Sequence, residues 1–271
     1  YKYRGNLGEA EASFRRVVAL NPGDAGAHGN LGVVLQEQGR QGDARGAFNE
    51  AVALQPENPE AYFNLANALL ALGEEKEAIA AFQHALEIRP DYAEAHGNLG
   101  TLFIGQGKHE QALAALKRAV ALKPDLAEVH VNLGFVQNEL GNFEAALNTL
   151  ENAISLNSDL AEAHNNLGNA LRELGKLEES VSSCQKALDL KPDYAEAHNN
   201  LGNALQDLGK SDEAVASYRK ALELKPDYAE AHSNLGLALQ GIGKLDDAVA
   251  SYREALGIQP DFAYAHNNLG D

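Results

Sequence analysis

Eight asparagines, Asn30, Asn64, Asn98, Asn132, Asn166, Asn200, Asn234 and Asn268, stand 34 residues apart along the chain. The same interval separates Pro22, Pro56, Pro90, Pro124, Pro192, Pro226 and Pro260, with Ser158 in the one gap. It also separates Gly39, Gly73, Gly107, Gly141, Gly175, Gly209 and Gly243, and a leucine column from Leu31 to Leu269. A period this strict constrains the fold more than any composition figure. Each unit is one supersecondary element with an apolar face that it cannot bury alone. Stacking buries that face, so stability is approximately a sum of unit and nearest-neighbour terms.

Complete repeats run over 25–58, 59–92, 93–126, 127–160, 161–194, 195–228 and 229–262, with partial repeats at 1–24 and 263–271. Counting each repeat from position 1, a helix A is predicted over roughly positions 1–14 and a helix B over roughly 17–31. The glycine at position 15 ends helix A as a left-handed cap. The proline at position 32 stops helix B. Small residues at position 8 (Gly32, Ala66, Gly100), position 20 (Ala214) and position 27 (Ala221) permit close helix approach. Aromatics make up only 6% of the chain while hydrophobic residues reach 45%, which suits helices packed on helices. The expected fold class is all-α, a single solenoid of antiparallel helix pairs over 1–271.

The pattern His198, Leu201, Gly202, Leu205, Ala214, Tyr218 and Pro226 resembles the tetratricopeptide (TPR) repeat, a helix–turn–helix unit. Two departures from its pattern are mild. Histidine replaces the first aromatic in seven of eight places, Tyr62 being the exception, and leucine usually replaces the tyrosine. The resemblance implies a right-handed α-solenoid whose A helices line the concave side. The phrases "AEAHNNLGNAL" and "LKPDYAEAH" are most similar to the TPR arm of O-GlcNAc transferases.

Asparagine costs a helix up to ~0.7 kcal/mol relative to alanine, so its recurrence needs a reason. The apolar positions of helix A are 3, 7, 10 and 14. Positions 2, 6, 9 and 13 form the opposite stripe, flanked by 5 and 12. The repeated asparagine is position 6 and points away from the core. A carboxamide offers two donors and one acceptor group, so a row of them can bracket the peptide groups of an extended ligand without reading its sequence. The resemblance to the O-GlcNAc transferase arm implies such a ladder. The alternative is that each asparagine bonds the neighbouring A helix and serves repeat packing.

Position 9 adds Asn67, Thr101, Asn169 and Asn203, broken by Phe135 and Leu237. Position 2 is Glu60, Glu94, Glu128, Glu162, Glu196 and Glu230, and position 13 adds Glu37, Glu139, Glu173 and Asp207. The stripe is therefore polar and acidic, which favours a flexible protein or peptide segment of neutral to basic character. Equally, glutamate at position 2 is a favourable first-turn residue near a positive helix end. Chaperone-binding TPR domains hold a terminal carboxylate with Lys and Arg at positions such as 2, 5 and 6. Here position 6 is always Asn, and position 5 carries no cation.

Other chemistries are not expected. A formal net charge of −17 leaves no cationic footprint for nucleic acid or anionic membranes. The longest apolar run, Leu65 to Leu72, is interrupted by Asn67 and far too short for membrane insertion. One cysteine, Cys184, excludes an internal disulfide and does not fix the compartment. The compartment stays open, with a slight preference for a cytoplasmic setting. Successive residues of the histidine column lie about one helix-packing distance apart, roughly 8–10 Å, too far to share one zinc ion. "GKS" at 209–211 lacks the earlier glycine of a phosphate loop, since Ala204 stands there. No catalytic constellation is legible, so neither enzymatic activity nor a cofactor is expected of this chain.

The expected function is a scaffold that grips extended peptide segments in an Asn-lined groove. A second reading makes the array the substrate-selecting arm of a larger glycosyltransferase, with more protein after the unfinished helix at Asp271. A third is end-to-end self-association, because the chain begins at repeat position 11 and stops at position 9.

Overall fold

The computed structural model describes residues 6–270. The outermost parts of the two partial repeats, residues 1–5 and 271, lie outside the described residues. The chain forms two compact units, 1–124 and 125–271. Among the described residues the secondary structure is sixteen helices and no strand.

In the first unit, α1 (Leu7–Leu20) precedes three helix pairs: α2 (Ala25–Glu37) with α3 (Gln41–Leu54), α4 (Pro59–Ala71) with α5 (Glu75–Ile88), and α6 (Ala93–Gly105) with α7 (His109–Leu122). The second unit holds four pairs and a final short helix. The pairs are α8 (Ala127–Glu139) with α9 (Phe143–Leu156), α10 (Ala161–Glu173) with α11 (Leu177–Leu190), α12 (Ala195–Asp207) with α13 (Ser211–Leu224), and α14 (Ala229–Gly241) with α15 (Leu245–Ile258). The final helix is α16 (Ala263–Leu269). Within each unit every B helix packs on its own A helix and on the next one. Successive A helices also touch, as α10 does α8 and α12.

Helix A occupies positions 1–13 and helix B positions 17–30, so the turn between them is three residues long. Gly39 takes φ 77° and Gly175 φ 75°. Each supplies the left-handed residue of a Schellman turn. The Arg40 N–H donates to Leu35 O at 2.9 Å and the Gly39 N–H to Gln36 O at 2.9 Å, which satisfies two carbonyls that helix A leaves open.

Close approach inside each pair depends on position 8. A methyl group on Gly32 would meet the Phe48 ring at 2.5 Å, and one on Gly202 would meet the Tyr218 ring at 2.5 Å. Phe48, Tyr218 and Tyr252 are fully buried at these crossings. In the 161–194 repeat the ring is replaced by buried Cys184, and Ser180 Oγ donates to Gly168 O at 2.6 Å beside it.

The histidine column closes the turn between helix B and the next helix A. His198 Nε2 lies 3.0 Å from Pro192 O, and His232 Nε2 lies 2.9 Å from Pro226 O. The same bond recurs at His28, His96, His164 and His266. A carbonyl only accepts, so these rings carry the proton on Nε2.

Candidate functional site

The polar stripe of the A helices carries the candidate residues, and the local rules above fix its direction. Core leucines at positions 7 and 11 turn inward, which leaves position 6 at the edge of the buried face. Asn30 on α2 is exposed, while Asn64, Asn98, Asn132, Asn166, Asn200, Asn234 and Asn268 are half-buried.

In the second unit α8, α10 and α12 enclose a cavity of about 460 Å³. It gathers Asn132, Asn166 and Asn200 from position 6, Asn169 and Asn203 from position 9, and Glu162 and Glu196 from position 2. Val131, Phe135, Asn138, Glu139, Asn165, Arg172, Tyr194, Tyr228 and Glu230 complete the lining. Asn234 and Asn268 lie outside this lining, and so does exposed Glu128. Asn30, Asn64, Asn67 and Asn98 belong to the first unit.

Position 5, expected to flank the stripe, is buried instead in the five repeats from Gly97 to Ser233. Asn165 is 4% exposed, and Asn199 and Ser233 are fully covered. These buried amides are bonded across neighbouring A helices. Asn200 Nδ2 donates to Asn165 Oδ1 at 2.9 Å. Asn234 Nδ2 donates to Asn199 Oδ1 and to Asn203 Oδ1, both at 3.1 Å. In the first unit Asn98 Nδ2 donates to Asn67 Oδ1 at 3.0 Å. Ladder residues therefore do take part in repeat packing. The sequence signal for this was the "NN" doublet at 165–166 and 199–200, in which two adjacent residues diverge by about 100° around the helix.

Sequence reasoning also missed the tyrosines at position 34 and the cations at position 31. Lys191 pairs with Glu162 at 3.4 Å and lies 4.6 Å over the Tyr194 ring. Lys225 pairs with Glu196 at 3.2 Å and lies 4.6 Å over the Tyr228 ring. In the first unit Arg89 pairs with Glu60 and Lys123 with Glu94. The hydrogen bond from Arg89 holds the Glu60 carboxyl below the usual carboxylate range. A backbone N–H, followed by Lys123, does the same for Glu94. Several position-2 carboxylates thus spend their charge within their own repeat. The cavity stays mildly acidic: Glu139, Glu162, Glu196 and Glu230 line it against Arg172, and Glu230 lacks a counterpart of Lys191 or Lys225 because Gln259 stands at position 31 of its repeat. Burial first, then Glu162 and Glu196, push the Tyr194 hydroxyl up to about 12, so it is a neutral donor at the cavity wall.

The lining holds hydrogen-bonding amides and hydroxyls, with no nucleophile set against a base. Among the described residues no group of three or more His, Cys, Asp or Glu is placed to hold a metal ion. No described helix is long and apolar enough to cross a membrane. Such a surface can hydrogen-bond a polar chain along several successive helices.

A TPR repeat model matches residues 137–171, 168–209, 203–243 and 242–271, and tetratricopeptide repeat models match 57–125 and 1–59. No curated protein sequence matches. Among solved structures, the APC/C hetero-tetramer Cut9–Hcn1 aligns with a TM-score of 0.72 at 22% identity, over 97% of this chain and 52% of that one. The chain therefore spans about half the length of that relative. TTC0263, a thermophilic TPR protein of Thermus thermophilus, aligns with a TM-score of 0.58 at 27% identity, over 66% of this chain and 97% of that one. YrrB, described as a TPR protein with an unusual peptide-binding site, aligns with a TM-score of 0.52 at 25% identity, over 70% of this chain and 98% of that one.

Proposed function

The chain belongs to the tetratricopeptide repeat family, and we propose that it is a non-catalytic scaffold that grips extended peptide segments along the Asn-bearing faces of its A helices. TPR arrays mediate protein–protein interactions. The observation that carries the finer reading is the cavity in which Asn166, Asn169, Asn200 and Asn203 present carboxamides from neighbouring A helices to one space. The peptide-binding description of YrrB supports the same class of ligand.

The spacing suits a backbone. Packed helices lie roughly 8–10 Å apart. A polyproline II chain rises about 3.1 Å per residue with three residues per turn, so every third peptide group faces one side at about 9.3 Å. One rung per third residue follows. A rung that bonds both the C=O and the N–H of a peptide group contributes roughly 1–3 kcal/mol net. Micromolar binding, about 8 kcal/mol, then needs several rungs. The remaining carboxylates favour neutral to basic segments over acidic ones.

Peptide display against the chain tests this. Selected peptides are expected to lose binding to a variant with Asn132, Asn166 and Asn200 all changed to Ala while its circular dichroism is unchanged. Peptides that bind both proteins equally would refute the groove.

In the alternative reading the array is the substrate-selecting arm of a longer O-GlcNAc-transferase-like protein. The "AEAHNNLGNAL" phrasing supports it, and a glycosyltransferase domain downstream in the gene is its test. End-to-end association of copies predicts a molar mass that rises with concentration in light scattering.

A further inference from the structure

We infer that the ladder is divided, and that Asn166 with the apolar pair Val131 and Phe135 forms a privileged subsite for a peptide group flanked by an apolar side chain. This rests on the groove reading above and assigns its rungs different tasks.

The division follows from what positions 5 and 9 of the preceding repeat supply. Before Asn234 stand Asn199 and Asn203, and both amide hydrogens of Asn234 are used on them. Before Asn200 stand Asn165 and Asn169, and one amide hydrogen goes to Asn165. Before Asn98 stand Phe63 and Asn67, and one goes to Asn67. Before Asn166 stand Val131 and Phe135, whose hydrocarbon side chains carry no oxygen or nitrogen acceptor, and among the described residues the Asn166 carboxamide makes no hydrogen bond, its backbone carbonyl alone accepting from Asn138 Nδ2. Asn64, after Gly29 and Val33, is the corresponding rung of the first unit. Asn268, after Ser233 and Leu237, stands apart from this pattern: its Nδ2 has no partner although the buried Ser233 Oγ, an acceptor, has none either.

The orientation of the bonded rungs is chemically fixed. Asn199 Nδ2 donates to Glu230 Oε1 at 3.3 Å. A carboxylate only accepts, so the Asn199 oxygen must face Asn234, and Asn234 must turn its nitrogen inward. Asn234 therefore offers a ligand only its oxygen. Asn200 keeps one N–H, and Asn166 keeps two together with its oxygen. Of Asn166, Asn200 and Asn234, Asn166 alone brings the full set into the cavity, and it does so beside Val131 and Phe135, which line the same wall. A bound chain would place a peptide C=O and N–H on Asn166 and lay an adjacent apolar side chain on that pair.

The test is a nuclear magnetic resonance titration of side-chain amides with acetyl-Gly-Ser-Gly-Leu-Gly-Ser-Gly-amide. The Asn166 amide signals are expected to move most, Asn200 less, and the Asn234 signals least. Replacing the leucine by serine should weaken binding about tenfold, the equivalent of about 1.4 kcal/mol. Asn166→Asp, which removes the donors and keeps the shape, should weaken it similarly. Phe135→Asn puts at position 9 the residue type that draws in Asn98 and Asn234, and should do the same without unfolding the chain. Equal movement of Asn166 and Asn234, or unchanged affinity in Asn166→Asp, overturns the division while leaving the groove reading intact. Absence of movement at every rung refutes both.

Discussion

Asn234 donates a side-chain hydrogen to Asn199 Oδ1 at 3.1 Å, and Asn199 is itself fully buried between neighbouring A helices. A row of identical residues is therefore not a row of identical groups. The same side chain at the same repeat position serves packing in one repeat and faces the groove in another, according to its predecessor.

Stability measurements separate the two kinds of rung. Asn234→Ala strands the buried Asn199 oxygen and should cost about 1–3 kcal/mol, reduced by up to ~0.7 kcal/mol of improved helix propensity. Asn166→Ala breaks no bond within the protein and should be neutral or slightly stabilising. Urea titrations of both variants decide the matter. Equal losses would mean that the Asn166 amide also holds the fold.

Much of this architecture is legible in the sequence because its determinants repeat. Gly39 and Gly175 mark a left-handed turn that few other residues adopt, and Pro192 or Pro226 marks where a B helix must stop. The stripe at positions 2, 6 and 9 follows from helical periodicity alone. The fate of position 5 does not. Asn165 and Asn166 look alike in the sequence and both reach the cavity, and only the neighbouring A helix buries Asn165 and bonds it to Asn200 while leaving the Asn166 carboxamide unbonded. The cation at position 31 and the glutamate at position 2 stand 29 residues apart, as Lys191 and Glu162 do. The fold brings them together, whereas each alone reads as a solvated charge.

The Schellman turn gives a local prediction. Gly175 lies at φ 75° with open space around its Cα. Gly175→Ala should lose about 1–2 kcal/mol from left-handed strain alone, and Gly175→Asn should lose less. A larger loss for Asn than for Ala in urea denaturation would contradict the account.

His198→Ala removes the donor to Pro192 O and should cost about 1 kcal/mol. If the histidine column serves only this turn, zinc and chelators should leave the melting temperature unchanged. A zinc-dependent rise that disappears in His198→Ala would assign the column a metal.

Alkaline pH should weaken the fold. Burial pushes the Cys184 thiol from its ordinary 9.0 up to about 12 and, with nearby carboxylates, the Tyr194 hydroxyl from 10.0 up to about 12. Tyr218 and Tyr228 are raised in the same direction, mainly by burial. An unfolded chain releases these protons at the ordinary values, so the folded state holds more protons above them. The stabilisation is fully present below about pH 9, declines as pH rises above it, and is exhausted above the folded values. Melting curves between pH 8 and 11 should fall progressively, and Cys184 should react with a thiol reagent at pH 8 only after unfolding. A flat profile, or rapid labelling of the native chain, would contradict the burial.

The central claim is that the A-helix face holds a backbone, and the most direct measurement is fluorescence anisotropy of a display-selected peptide against two altered versions. One has the peptide nitrogens methylated at every third residue in the register that meets the rungs. The other keeps the backbone and permutes the side chains outside the Asn166 subsite. Methylation removes the N–H that the ladder accepts, so the first should lose most of its affinity and the second should keep it. A methylated peptide that binds as tightly as its parent, with affinity lost on permutation instead, would show that side chains are read and that the asparagines do not grip the chain.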